Sequence, residues 1–198
     1  MGIRIEFAPA FFDYLKDVAG PEIADRVVYK GGGGFTRTMF PWNTASPSER
    51  RDRRITRSPW WSWPTKNVLD RATASMPRLL HERLDEAGID FTVLYPTLGL
   101  AAPSMESQEL RLATCRALNS FHADIFRDYA DRITPAAAIP MHTPREAIAE
   151  LQHAIGELGL KVIMMAGHVR RRIPAAARKS PDEAHGSFWL DTSWSSTA

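Results

Sequence analysis

The sequence predicts a parallel α/β fold, and two patterns carry that prediction. From about Ser75 onward, amphipathic helical stretches alternate with short apolar runs. One junction also occurs twice: Glu86-Ala87-Gly88-Ile89-Asp90-Phe91 and Glu157-Leu158-Gly159-Leu160-Lys161-Val162 each read as a helix end, a capping glycine and the start of a strand. The composition agrees. At 198 residues, 44% hydrophobic and 24% charged, the chain suits one soluble globular domain and excludes wholesale disorder, collagen-like repetition and a disulfide scaffold.

Residues 1–66 predict an irregular N-terminal segment or lid with short helices. One helix is expected over Ala8 to Ala19, stopped by Gly20-Pro21, and another over Pro21 to Val28. Gly31 to Gly34 and the prolines at 41, 47, 59 and 64 then interrupt regular structure, in a stretch carrying Arg50, Arg51, Arg53, Arg54 and Arg57 before Trp60, Trp61 and Trp63. A helix over Met76 to Ala87 puts Leu79, Leu80, Leu84 and Ala87 on one face, Gly88 closes it, and Phe91 to Tyr95 follows as a strand. The next helix runs from Glu106 to Tyr129, with Leu110, Ala113, Ala117, Phe121, Ile125 and Tyr129 at threes and fours. The strand Ile133 to Ile139 comes after it, with Pro135 predicting an irregularity near its start. Thr143-Pro144-Arg145-Glu146 is a capping box that opens a helix whose buried stripe is Ala147, Ile148, Leu151, Ala154, Ile155 and Leu158. Gly159 ends that helix and Lys161 to Met165 is the last strand.

Parallel α/β folds gather ligands at the C-terminal ends of their strands. Those ends are Pro96-Thr97-Leu98-Gly99, Pro140-Met141-His142 and Ala166-Gly167-His168, so His142 and His168 occupy equivalent places. No His-x-His or His-Glu-x-x-His spacing occurs, so no metal site is read directly from the sequence. Arg170, Arg171 and Arg172 follow His168 and suit equally a carboxylate, which a guanidinium pairs bidentately, or a solvated basic loop. His81, His122 and His153 fall inside helices and are expected to be packed or partly exposed, and His185 falls in a loose segment. Cys115 reads as a small buried residue. No Gly-x-Ser-x-Gly elbow is present, and Lys30 with the glycine run does not complete a phosphate loop.

The 25 basic and 23 acidic residues nearly cancel, which gives no global field for nucleic acid or membrane. The arginine–tryptophan segment offers nucleic-acid binding only as a lesser reading beside tryptophans packed on the fold and solvated arginines. The longest apolar run, Val162 to Ala166, is far short of the roughly 20 residues that span a bilayer. A single cysteine and the absence of a leader make the expected location cytoplasmic.

Three stretches carry a family resemblance: Trp60-Trp61-Ser62-Trp63-Pro64-Thr65-Lys66-Asn67, Leu69-Asp70-Arg71-Ala72-Thr73-Ala74 and Asp90-Phe91-Thr92-Val93-Leu94-Tyr95-Pro96-Thr97. With Cys115-Arg116-Ala117-Leu118-Asn119, Asp131-Arg132-Ile133-Thr134-Pro135, Ile139-Pro140-Met141 and Gly159-Leu160-Lys161-Val162, the ordered set resembles the amidohydrolase-related family, in its aminocarboxymuconate-semialdehyde decarboxylase-like branch. The likeness covers about residues 58 to 192.

That resemblance implies a partial (β/α)8 TIM barrel of about three βα units, strands 2 to 4, over residues 67–192, followed by a non-family tail at 193–198. It further implies a divalent metal, zinc or manganese, used for hydrolysis or decarboxylation of a small carboxylate-bearing substrate. Tyr95 and His168 are then the expected catalytic groups, and Thr97, His142 and Arg170 the expected substrate contacts. The family's metal ligands lie after its first, fifth, sixth and eighth strands, and none of those regions is recognisable here. The expectation is therefore a truncated, inactive member that binds no catalytic metal alone. The alternative is a non-catalytic piece that associates with itself or another chain through exposed sheet edges.

Overall fold

A computed structural model of the chain describes residues 2–3, 9–27, 45–53, 68–73, 76–96, 99–167, 169–172 and 185–187. The glycine run at 31–34, the tryptophans at 60, 61 and 63, Thr97, His168 and the tail at 193–198 lie outside the described residues.

The fold is built on β3 (Ile133–Ile139), all seven residues of which are buried. Its sequence, Ile-Thr-Pro-Ala-Ala-Ala-Ile, does not alternate polar with apolar, as expected of a strand covered on both faces. On one side it pairs in parallel with β2 (Thr92–Pro96), in the register Thr92 with Ile133, Val93 with Thr134 and Leu94 with Pro135. On the other side it pairs in parallel with β4 (Val162–Met165), from Ala136 with Val162 to Ile139 with Met165. The strand runs straight through Pro135, because that residue falls where β3 is bridged to β2 alone. A two-residue strand, β1 (Gly2–Ile3), lies parallel beside Tyr95 and Pro96 on the outer side of β2. The order β1-β2-β3-β4 follows the chain, and the sheet is open: among the described residues nothing closes it into a barrel.

Helices cover this sheet. The N-terminal segment, expected to be irregular, supplies α1 (Pro9–Asp25), with a break at Gly20 (φ 81°) where the sequence predicts one helix to stop and another to start. Its Phe11, Leu15 and Ala24 are buried in one core with Leu94, Leu118 and Phe121. Each large apolar side chain removed from water there contributes about 2 kcal/mol. Further on, α2 (Pro47–Asp52) is held by a capping box between Ser46 and Glu49 that the sequence analysis did not single out. After α3 (Val68–Thr73) comes α4 (Pro77–Glu82), which is shorter than expected. Arg83 caps it and bonds to Asp70, Thr73 and Glu86, and Ala87 is exposed instead of lying on a buried face. The chain then reaches Gly88 at φ 66°, the left-handed conformation predicted for it.

The long helix α5 (Gln108–Phe126) starts at a Ser107 cap and runs on as a 3-10 turn to Tyr129. It packs on β3, and α1 packs on it in the antiparallel sense, joined by Tyr14 to Asp124 near one end and Arg26 to Glu109 near the other. The hydrogen bond to Asp124 raises the Tyr14 hydroxyl pKa to about 12. α6 (Pro144–Leu151) continues as a π-helical turn, Gln152–Glu157, and ends before Gly159 at φ 70°.

The buried stripe predicted for α6 is corrected in part. Ala147 and Ala154 are buried, but Ile148 and Ile155 are exposed, and Glu146 and Glu150 are buried instead. The helix is turned so that its carboxylates meet the arginines of α5. Beyond β4, Arg170–Arg172 (β5) and His185–Ser187 (β6) pair antiparallel, so His185 belongs to a strand and not to a loose segment. Among the described residues no helix is long and apolar enough to cross a membrane.

Candidate functional site at the strand ends and the polar seam behind it

The C-terminal ends of β2, β3 and β4 point the same way because the strands are parallel. Tyr95, next to the end of β2, is 46% exposed, on the face opposite buried Leu94. The register sets it level with Ala136, three residues before β3 ends at Ile139. His142 lies three residues beyond that end, half-buried, directly before the Thr143 cap of α6. These two expected site residues therefore share an end of the sheet at different levels. Thr97 and His168 are outside the described residues, and Arg170 is described only as backbone in β5, paired with Ser187.

Among the described residues no group of three or more His, Cys, Asp and Glu side chains could hold a metal ion. Cys115 is fully buried and its thiol pKa is pushed up by that burial, which leaves it a packing residue as expected. His122 is also buried, against the Phe121 and Phe126 rings, and desolvation lowers its pKa to about 4.

The most elaborate polar structure lies behind the strand ends, between α5 and α6. Glu146 receives Arg111 Nε and Nη2 at 3.0 to 3.1 Å and Gln108 Nε2 at 3.0 Å. Arg111 also donates to the carbonyls of Met105 and Glu106. Thr143 accepts the Glu146 amide at 3.2 Å as predicted, but the returning half of the capping box is absent, since the carboxylate has turned inward to Arg111. One turn along, Glu150 accepts from Arg116 Nε at 2.8 Å and from Asn119 Nδ2 at 2.8 Å. Every buried charge on this seam has an opposite charge and further hydrogen bonds, which is what makes burial tolerable.

An open groove of about 650 Å³ runs over this seam, walled by Val18 and Ile23 of α1 and floored by Arg116, Glu146, Ala149 and Glu150. Apolar periodicity gives no sign of it, because its floor is polar. The signal was the polar one: Arg116 and Ser120 on one helix lie four apart, and Glu146, Glu150, His153 and Glu157 on the other recur at threes and fours. The chain matches no protein-family model, and no curated protein matches it.

Proposed function

We propose that the chain is an amidohydrolase-related unit, equivalent to the second to fourth βα units of a (β/α)8 barrel, that acts by association and not as a self-contained metal-dependent enzyme. The sheet order supports the barrel part of this reading. Parallel strands that are neighbours both in sequence and in space are wound one way throughout, as in a barrel, whereas doubly wound sheets reverse at a switch point.

The observation that carries the association is the edge of β4. Among the described residues this strand pairs with β3 only, and Val-Ile-Met-Met contains no charge or proline to discourage another strand. The outer side of β2, by contrast, is already taken by β1. The partner proposed is a second copy of the chain. Two β4 edges related by a twofold axis meet antiparallel, and such an interface is self-complementary.

Light scattering coupled to size-exclusion chromatography tests this. The wild-type chain is expected to run as a dimer, and Met165→Lys, at a position 51% exposed, as a folded monomer by circular dichroism. A wild-type monomer at all concentrations, or a dimer untouched by the substitution, contradicts it.

A second reading is supported by the exposure of Tyr95 and the position of His142 at the ligand-binding end of the sheet. It is hydrolase or decarboxylase chemistry on a small carboxylate-bearing substrate, with Tyr95 and His168 as acid–base groups and Thr97, His142 and Arg170 as substrate contacts. Elemental analysis showing one equivalent of zinc or manganese, together with turnover of carboxylated substrates that chelation abolishes, would favour this reading over the first.

A further inference from the structure

On the seam between α5 and α6, one turn beyond the Arg116–Glu150 pair, three side chains are joined in series. Ser120 Oγ lies 3.3 Å from His153 Nε2, and His153 Nδ1 lies 2.7 Å from Glu157 Oε2. A carboxylate only accepts, so the Nδ1 proton is donated to Glu157 and Nε2 turns its lone pair to the Ser120 hydroxyl, which donates. We propose that Ser120, His153 and Glu157 form a metal-independent acyl-transfer site, with Ser120 as nucleophile, His153 as general base and Glu157 as the positioning residue, acting on small esters.

The order of atoms is the one that activates a hydroxyl: nucleophile oxygen, base nitrogen, the second ring nitrogen and an orienting carboxylate. It needs no glycine-flanked elbow, because the serine sits on a helix and the partners come from a neighbouring helix. The π-helical turn Gln152–Glu157 carries both partners, and such turns recur at functional sites. The His153 side chain is 12% exposed and so is held in place, while Glu157 is 70% exposed.

The groove of about 650 Å³ lies beside the three side chains, none of which lines it. Arg116 and Ala149 line it, and each lies one turn before Ser120 and His153 on its own helix. Arg116 commits its Nε to Glu150, and among the described residues its two Nη groups make no hydrogen bond, which leaves them for a developing oxyanion.

In the reaction, Ser120 Oγ attacks the ester carbonyl carbon as its proton passes to His153 Nε2. The carbon–oxygen bond to the alcohol breaks and the alcohol leaves with that proton. Water, deprotonated by the same nitrogen, then attacks the acyl-serine; the acyl–Oγ bond breaks, the proton passes from His153 Nε2 back to Ser120 Oγ and the acid is released, so the sum is ester plus water giving acid plus alcohol. The site is separate from the β4 edge and from the strand ends, so its failure would leave the proposed function untouched.

The test uses the full chain with an alkyl fluorophosphonate, which phosphonylates an activated serine with loss of fluoride, read by intact mass and peptide mapping. Turnover of p-nitrophenyl acetate is followed in parallel. One adduct on Ser120 is expected, absent from Ser120→Ala, with labelling slowed at least ~100-fold in His153→Gln. Glu157→Gln should slow labelling at an unchanged melting temperature, and Glu157→Asp should restore part of the rate. No adduct on Ser120 in the wild-type chain overturns the proposal, and so does an adduct that forms equally fast in His153→Gln or in the urea-unfolded chain.

Discussion

Asn119 on α5 hydrogen-bonds the main chain of Ala138 on β3 in both directions: its Nδ2 donates to the Ala138 carbonyl at 3.0 Å and its Oδ1 accepts the Ala138 amide at 2.7 Å. The same Nδ2 donates to Glu150 at 2.8 Å, so one buried amide fixes a helix, a strand and a second helix relative to each other. Nothing but an amide supplies a donor and an acceptor side by side at that position.

Asn119→Leu leaves the Ala138 peptide groups and one Glu150 oxygen without these bonds, at about 1–3 kcal/mol for each buried group. A total loss near 4 kcal/mol is expected in urea unfolding, against less than 1 kcal/mol for an exposed control such as Asp128→Asn. A change below 1 kcal/mol at Asn119 would show that water replaces the amide.

Much of the fold was legible in the sequence because backbone geometry leaves local marks. Gly88 and Gly159 take left-handed φ values of 66° and 70°, where the sequence predicts them, and β3 spans Ile133–Ile139 as read from its apolar run. The orientation of α6 was not legible. Hydrophobic periodicity chose Ile148 and Ile155 for the core, whereas Arg111 and Arg116 on another helix draw Glu146 and Glu150 inward. Such a choice depends on a partner far along the chain, which no local pattern encodes. That Tyr95 and His142 lie towards one end of the sheet was legible, but the register between the strands was not, since register is set by pairing between strands.

The buried pair Arg111–Glu146 gives a second prediction. Removing one partner, as in Glu146→Leu, strands the Arg111 charge and should destabilise the fold by about 3–5 kcal/mol. The double change Arg111→Met with Glu146→Leu should recover most of that, because it removes both charges from the interior. Denaturant titration of the four proteins in the cycle measures it. Additive losses would mean the pair is not coupled.

His122 gives a pH dependence. Its ring nitrogens have no hydrogen-bond partner among the described residues, and its folded pKa is about 4 against an ordinary value of 6.5. The unfolded chain therefore binds the proton more readily, and its contribution to stability is complete above pH 6.5 and lost as pH falls towards 4. The loss over that window amounts to about 3 kcal/mol. His122→Phe, which keeps an aromatic ring between Phe121 and Phe126, should flatten the stability profile there. An unchanged slope would place the acid sensitivity elsewhere.

Glycine substitutions separate two physical causes. At Gly159 an added Cβ meets nothing within 4 Å, so Gly159→Ala should cost only the left-handed backbone strain, about 1 kcal/mol. At Gly99 the same atom would lie 2.5 Å from Leu118 Cδ2 and 2.6 Å from Pro96 Cβ. Gly99→Ala should therefore cost more, about 1–3 kcal/mol, through overpacking and not through φ. Thermal melts of the two variants should rank them in that order.

Hydrogen–deuterium exchange of the β4 amides, Val162–Met165, at high and low protein concentration addresses the proposed association most directly. An edge strand that pairs with a second copy should be protected in the concentrated sample and lose that protection on dilution, while β3 stays protected in both. Exchange in β4 that is the same at every concentration would contradict association through this edge.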